Sequence, residues 1–375
     1  MTQRTWGSLL GILLVGCSSS SSPALGNGEA GADTGKACMG DAGRDGSARD
    51  GGGKDASLEA AGDAMGEAGT DAKGGSDAAT KTSDCFPAPG ACGFPDPLYD
   101  NVGVPKSATL SKSSSLTITT AGMTVHDLEI SGSITINAKN VTLKNVQLTV
   151  ADDGSGTAGI SIENGASGTT IEDCTIAGAG TKNSPESAIF NHYGETLTLT
   201  RVYLYNFADP IEGPVTVKDS YINANGTYGS GSDVAHIEDI YVSDDTVSVD
   251  HSVLFNPSGQ TATIFMDTSS DVGDDHLTLT NSLVAGGGWT LYPSAKSTSV
   301  GTATMNVSNN RFARCLGTPD FDGSGTTCKG GPDMHGYYPN CGYYGVAADD
   351  YCPPIAGQVW TGNVWDDDSS TIPCP

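Results

Sequence analysis

The sequence predicts an all-β solenoid, a right-handed parallel β-helix behind a disordered N-terminal tether, and three observations carry that prediction. One phrase recurs eight times, with apolar alternation on either side of a marked residue: Asp127, Asn145, Asp173, Arg201, Asp219, His251, Asn281 and Asn309. Repetition of one small unit is the mark of a stacked array in which each unit buries its apolar face on its neighbours. The marked residue is most often Asn or Asp, which tolerate left-handed backbone angles and suit a sharp corner between two strands. The shortest step, 18 residues from Asp127 to Asn145, is too small for a propeller blade and fits a coil of three short strands. A left-handed coil would demand a stricter hexapeptide rhythm than steps of 18 to 32 residues allow, and an all-β sandwich would not need one phrase at all.

Taken in chain order, residues 1–16 read as a lipoprotein signal peptide. Arg4 precedes the apolar run Leu9 to Val15, too short to span a bilayer as a mature helix. The run ends at Gly16-Cys17, so Cys17 is the expected lipidation site, with an ordinary secretory signal as the alternative. Residues 17–84 are dominated by Gly, Ala, Ser and Asp and cannot bury enough apolar surface to offset chain entropy, so a disordered linker is expected. Residues 85–375 form the β-helix domain, with a Cys-rich C-terminal insertion over 313–352 and a cap. Cys85, Cys92, Cys315, Cys328, Cys341, Cys352 and Cys374 lie outside the repeating phrases, as staples would in an exported protein. Cys85–Cys92 is one conceivable pairing among several. Cys174 instead takes the slot that Val146, Val202 and Ser220 hold in other phrases, and reads as a buried free thiol.

The formal charge is −26, from 18 Lys and Arg against 44 Asp and Glu. That balance excludes a nucleic-acid partner and weighs against a broad cationic groove for polyanions. A membrane is expected as a partner only through the lipid anchor, and the chain is expected to be a monomer at the bacterial cell envelope, on the outer membrane or cell surface.

The phrases around Val215–Ile222, Ala235–Val242 and Asn281–Tyr292, with Arg311-Phe312 and Val359–Asp366, make residues 105–375 resemble the pectate-lyase-like superfamily of right-handed parallel β-helix proteins. The resemblance implies the fold and a lateral groove; it does not imply one activity, because that superfamily includes lyases, hydrolases, esterases and non-enzymes. Related domains carry a Ser-His-x-Asp-Gly-Ile-Gln phrase where this chain has His236, Glu238, Asp239 and Tyr241. Asp239 stands in place of the Gly and Tyr241 in place of the Gln.

His236 and Glu238, two apart on a strand, point the same way and are candidate acid–base residues, with Asp267 from the next coil as the third. Stacking is expected to bring Glu212, Glu238 and Asp267 onto one face. Such a row suits glycoside hydrolysis, calcium binding or simply a solvated acidic surface. An elimination mechanism would need a cation, drawn from Arg201, Lys218, Lys296, Arg311 or Arg314. Arg201 and the Asp250-His251 pair fall at corners and read as structural. Substrate contacts are expected from Glu212, Tyr241, Tyr292 and Arg311, because sugar rings pack on aromatic surfaces. Asp320, Asp322 and Ser324 match the first half of a calcium loop, making Ca²⁺ the one cofactor to consider, although the closing Glu is replaced by Gly331. The expected function is a cell-surface protein acting on a polysaccharide, by lysis or hydrolysis, or else a non-catalytic glycan-binding or adhesion module.

Overall fold

The computed structural model describes residues 84–86, 88–151, 158–180, 186–226, 236–243, 245–258, 261–267, 276–292, 304–313, 345–347 and 358–375. Cys17, the linker, and the Asp320, Asp322 and Ser324 loop lie outside them. Among the described residues there are 24 strands and no α-helix, and no helix is long and apolar enough to cross a membrane. The strands pair in parallel, coil upon coil, in three ladders that make this chain an all-β parallel β-helix.

Each coil contributes one strand before the marked residue, one after it, and a third further on. The first ladder includes the opening of Thr142–Val150, a strand that runs on through Asn145 into the second ladder, and Leu197–Thr200, Val215–Lys218, Thr246–Asp250 and His276–Thr280. The second includes Tyr203–Tyr205, Tyr221–Asn223, Val253–Asn256 and Leu283–Gly286. The third includes Ile160–Ile162, Ser187–Phe190, Asp209–Glu212, Glu238–Ser243, Ala262–Asp267 and Trp289–Tyr292. Alternation drives one apolar column per ladder into the bore. In the third ladder that column is Ile134, Ile160, Ile189, Ile211, Ile240, Ile264 and Leu291, all essentially inaccessible.

All eight marked residues have positive φ, from 44° at His251 to 59° at Asn309. Asn and Asp accept that conformation readily; Arg201 and His251 adopt it because the coil on either side dictates the corner. Their side chains bond the coil below: Asn145 Nδ2 donates to Asp127 Oδ1 at 2.9 Å, Arg201 Nε to Asp173 Oδ1 at 2.6 Å, and His251 Nδ1 lies 2.6 Å from Asp219 Oδ1. A ninth corner follows at Gly362, φ 67°, in the closing Trp-containing phrase.

The residue after each corner points inward, and here the column changes chemistry from Val146, Cys174 and Val202 to Ser220, Ser252, Ser282, Asn310 and Asn363. Each polar member accepts from the backbone N–H one coil earlier: Ser220 Oγ from Val202 at 3.0 Å, Ser252 Oγ from Ser220 at 3.1 Å, Ser282 Oγ from Ser252 at 3.1 Å, Asn310 Oδ1 from Ser282 at 2.9 Å and Asn363 Oδ1 from Asn310 at 3.0 Å. A buried polar ladder of this kind is tolerated because every member is satisfied. Cys174 is a free, buried thiol in this column, and burial pushes its pKa up to about 12.

The segment 84–86 with 88–106 lies across the outer face of the second ladder. Cys85, Phe94 and Val102 pack on Tyr203, Tyr221, Val253 and Leu283, while Phe86 packs on Phe255, Ala285 and Ala313. A Cys85–Cys92 disulfide holds the strap's first turn, and Cys374 is disulfide-bonded as well. The strap is latched at the far end of the helix by Asp366. Its Oδ2 accepts from the backbone N–H of Cys85 and Phe86 at 2.8 Å each, and its Oδ1 accepts from Arg311 Nε at 2.6 Å.

Candidate functional site

The outer face of the third ladder has a different character. The residue after each buried Ile or Leu points outward, and the register aligns Ser161, Phe190, Glu212, Tyr241, Phe265 and Tyr292 in a single row. Phe190, Glu212, Tyr241 and Phe265 are half-buried, and Tyr292 is 37% exposed. Parallel stacking sets the ring spacing: Tyr241 and Phe265 have centroids 5.8 Å apart, and Phe265 and Tyr292 are 4.8 Å apart. At the other end Phe190 stacks on exposed His192 at 5.5 Å, and His192 meets Tyr193, itself 53% exposed, at 6.2 Å. An apolar ridge therefore runs along the helix axis, with one acidic side chain set into it at Glu212.

Behind Glu212, at the start of the same strands, Ser187, Asp209, Glu238 and Ala262 form a second row. Glu238 N–H donates to Asp209 Oδ1 at 3.0 Å, and both carboxyls are buried. Burial first, then the neighbouring Glu238 charge, raises Asp209 to about 10. Burial likewise raises Glu238. Two carboxyls this close, with little water, cannot both ionise, so the pair retains a proton at neutral pH. Glu212 takes a hydrogen bond from the Ser187 hydroxyl on Oε1. Its pKa is pushed up to about 7, by burial between its neighbours and then by the charges of Glu186 and Glu238. Asp239, on the opposite side of its strand, is fully buried, accepts from Ala224 N–H at 2.8 Å, and is held well above the usual carboxylate range by burial.

The register sorts the residues singled out from the sequence. Glu212, Tyr241 and Tyr292 share the outer row. Glu238 does not: its row is that of Asp209 and Ala262, and its side chain is enclosed. His236, just ahead of it, is exposed. Asp267 pairs with Ser243, five residues beyond Ala262, which is about 16 Å further along the strand. Glu212 and Glu238 therefore fall in different rows, and Asp267 pairs at a position further along the strand than either. The loops between strands vary in length, so counting from the corner does not fix the third strand's register. Arg311 lies on the second ladder and spends its guanidinium on Asp366, through Nε and through Nη2 to the Asp366 carbonyl at 2.7 Å.

Phe190, Phe265 and Ser187 escaped the sequence reading. The signal was present: Ile189-Phe190, Ile240-Tyr241, Ile264-Phe265 and Leu291-Tyr292 repeat an aliphatic–aromatic pair once per coil. Among the described residues no group of three or more His, Cys, Asp or Glu has the geometry to hold a metal ion. A cavity of ≈ 210 Å³, lined in part by Glu195, Thr216 and Asp245, opens near the turn that joins the third strand to the next coil's first. No family model, no curated protein and no solved structure matches this chain.

Proposed function

We propose that this protein is a cell-surface lipoprotein of the pectate-lyase-like kind that holds a polysaccharide chain along the third ladder, as a glycan-binding module. One observation carries the reading. Two outer faces of the same helix are apolar and aromatic: the second ladder's is covered by the chain's own strap, whereas the third ladder's row from Phe190 to Tyr292 stays partly open. Partly exposed aromatic rows of this length are uncommon on a surface that needs only solubility, and they mark binding faces. The test is retention of the purified full-length protein on immobilised neutral and acidic polysaccharides. Retention that Phe265→Ala and Tyr292→Ala weaken supports the reading. No retention on any polymer, or retention indifferent to both variants, rejects it.

A second reading, glycoside hydrolysis, is favoured by Glu212 itself, a carboxylic acid set near neutrality on the open face, as a general acid requires. Asp209 and Glu238 are the nearest described carboxyls in the neighbouring row. New reducing ends on incubation with a retained polymer would support hydrolysis; binding without products would leave the module reading alone. Of the cations named for elimination, Arg201 is committed to Asp173 and Arg311 to Asp366, Lys218 lies on the first ladder, and Lys296 and Arg314 lie outside the described residues.

A further inference from the structure

We propose that the ligand of this face is a neutral, hydroxyl-rich glycan, and that it is held by Glu212 in the protonated form, donating a hydrogen bond to a sugar oxygen. The inference rests on the glycan reading above and goes beyond it in naming the ligand's charge and the proton that binding requires.

Charge on the described strands weighs first against the alternative ligand class. The described strands of the third ladder from Ile160–Ile162 to Trp289–Tyr292 contain no Lys or Arg, yet they carry Asp209, Glu212, Glu238, Asp239 and Asp267. A uronate or sulfated chain laid on these strands would meet carboxyls and, among their described residues, no cation to answer its own charge.

Geometry then assigns the proton. Oε1 of Glu212 is occupied by the Ser187 hydroxyl, and no bond to Oε2 is found among the described residues. Phe190 precedes Glu212 in the row and Tyr241 follows it, so a ligand lying along the ridge would remove the remaining water from that oxygen. Among the described residues the charged groups that act on it are Glu186 ahead of its neighbouring strand and Glu238 on the strand that follows, with Asp209 on its own strand. His236 stands beside Glu238 but is exposed. Further desolvation with like charges on both sides disfavours the carboxylate, so the complex keeps the proton. Free Glu212 titrates at about 7, so the effect falls near neutral pH.

The sign follows from linkage. A ligand that selects the protonated acid raises its pKa, so affinity is level below about pH 6 and falls by up to tenfold per unit above about pH 7. The experiment is isothermal titration calorimetry of the full-length protein with the neutral polysaccharide it retains best, across that range and in buffers of different ionisation enthalpy. The expected result is proton uptake on binding near pH 8 and an affinity ratio between about pH 6 and 8 of roughly ten. Glu212→Gln, which cannot titrate, should show no proton uptake and a level profile. Because that variant could fail to bind, Glu186→Gln serves as the second: removing a like charge lowers the pKa of Glu212 and moves the fall in affinity to lower pH. Absent or reversed proton exchange in the wild type, a profile unmoved by Glu186→Gln, or tighter binding of a uronate polymer overturns this inference while leaving the glycan reading intact. Absence of binding to every polymer at every pH overturns that reading as well.

Discussion

Asp239→Asn isolates one buried carboxyl and makes the pH dependence of folding measurable. Asp239 is wholly inaccessible, and among the described residues no cation is paired with it; it accepts from the Ala224 N–H at 2.8 Å, and the Phe255 backbone also favours its charged form. Asp366 is equally buried but is answered by Arg311 and two backbone N–H groups. Burial raises the Asp239 pKa well above its ordinary value of 3.8. A carboxyl whose folded pKa is raised binds more protons folded than unfolded, so its contribution is favourable at low pH and erodes as pH rises past the unfolded value. The slope is at most about 1.4 kcal/mol per pH unit, and it applies only between the unfolded and the raised folded value. Asparagine keeps the acceptor for Ala224 and cannot ionise. Urea unfolding at pH 5, 6 and 7 should therefore show the variant gaining on the wild type as pH rises, by at most about 1.4 kcal/mol per unit. Groups remote from Asp239 cancel in that difference; the adjacent Glu238, whose charge acts on Asp239, adds a smaller coupled contribution. A stability difference that stays constant with pH would refute the reasoning.

Three further outcomes are expected. Asn310→Ala leaves the Ser282 N–H and the Leu279 carbonyl unsatisfied in the bore, and should cost about 3 kcal/mol in urea unfolding at two lost buried partners. Asp366→Ala strands the largely buried Arg311 and frees the strap, so it should cost about 3–5 kcal/mol, speed proteolysis within 84–106 and increase binding of an apolar dye to the uncovered second ladder. Cys174, buried and titrating near 12, should resist a thiol reagent at neutral pH in the native protein and react at the rate of unfolding.

The corners were legible because a left-handed turn between strands is a local demand. Asn145, Asn281 and Asn309 advertise it by residue type; Arg201 and His251 are recognisable only from the phrase around them. The slot after the corner was legible in the same way, and Cys174 lies buried and free where Val146 and Val202 sit in neighbouring coils. The strap was not legible, since residues 85 and 86 find their partner Asp366 some 280 positions away. Nor was the third strand's register. Phe190, Glu212, Tyr241, Phe265 and Tyr292 meet in one row only after loops of different length have been taken up between them.

The chain's own residues settle the repeat, the corner and the inward-facing aliphatic column, because each follows from two or three neighbouring positions. Which outward-facing side chains become neighbours is settled by the winding alone. Coil-to-coil pairing at about 4.8 Å joins residues some 20 to 30 apart, and it is that pairing which sets Glu212 between rings and leaves Asp267 well along the strand from Glu238.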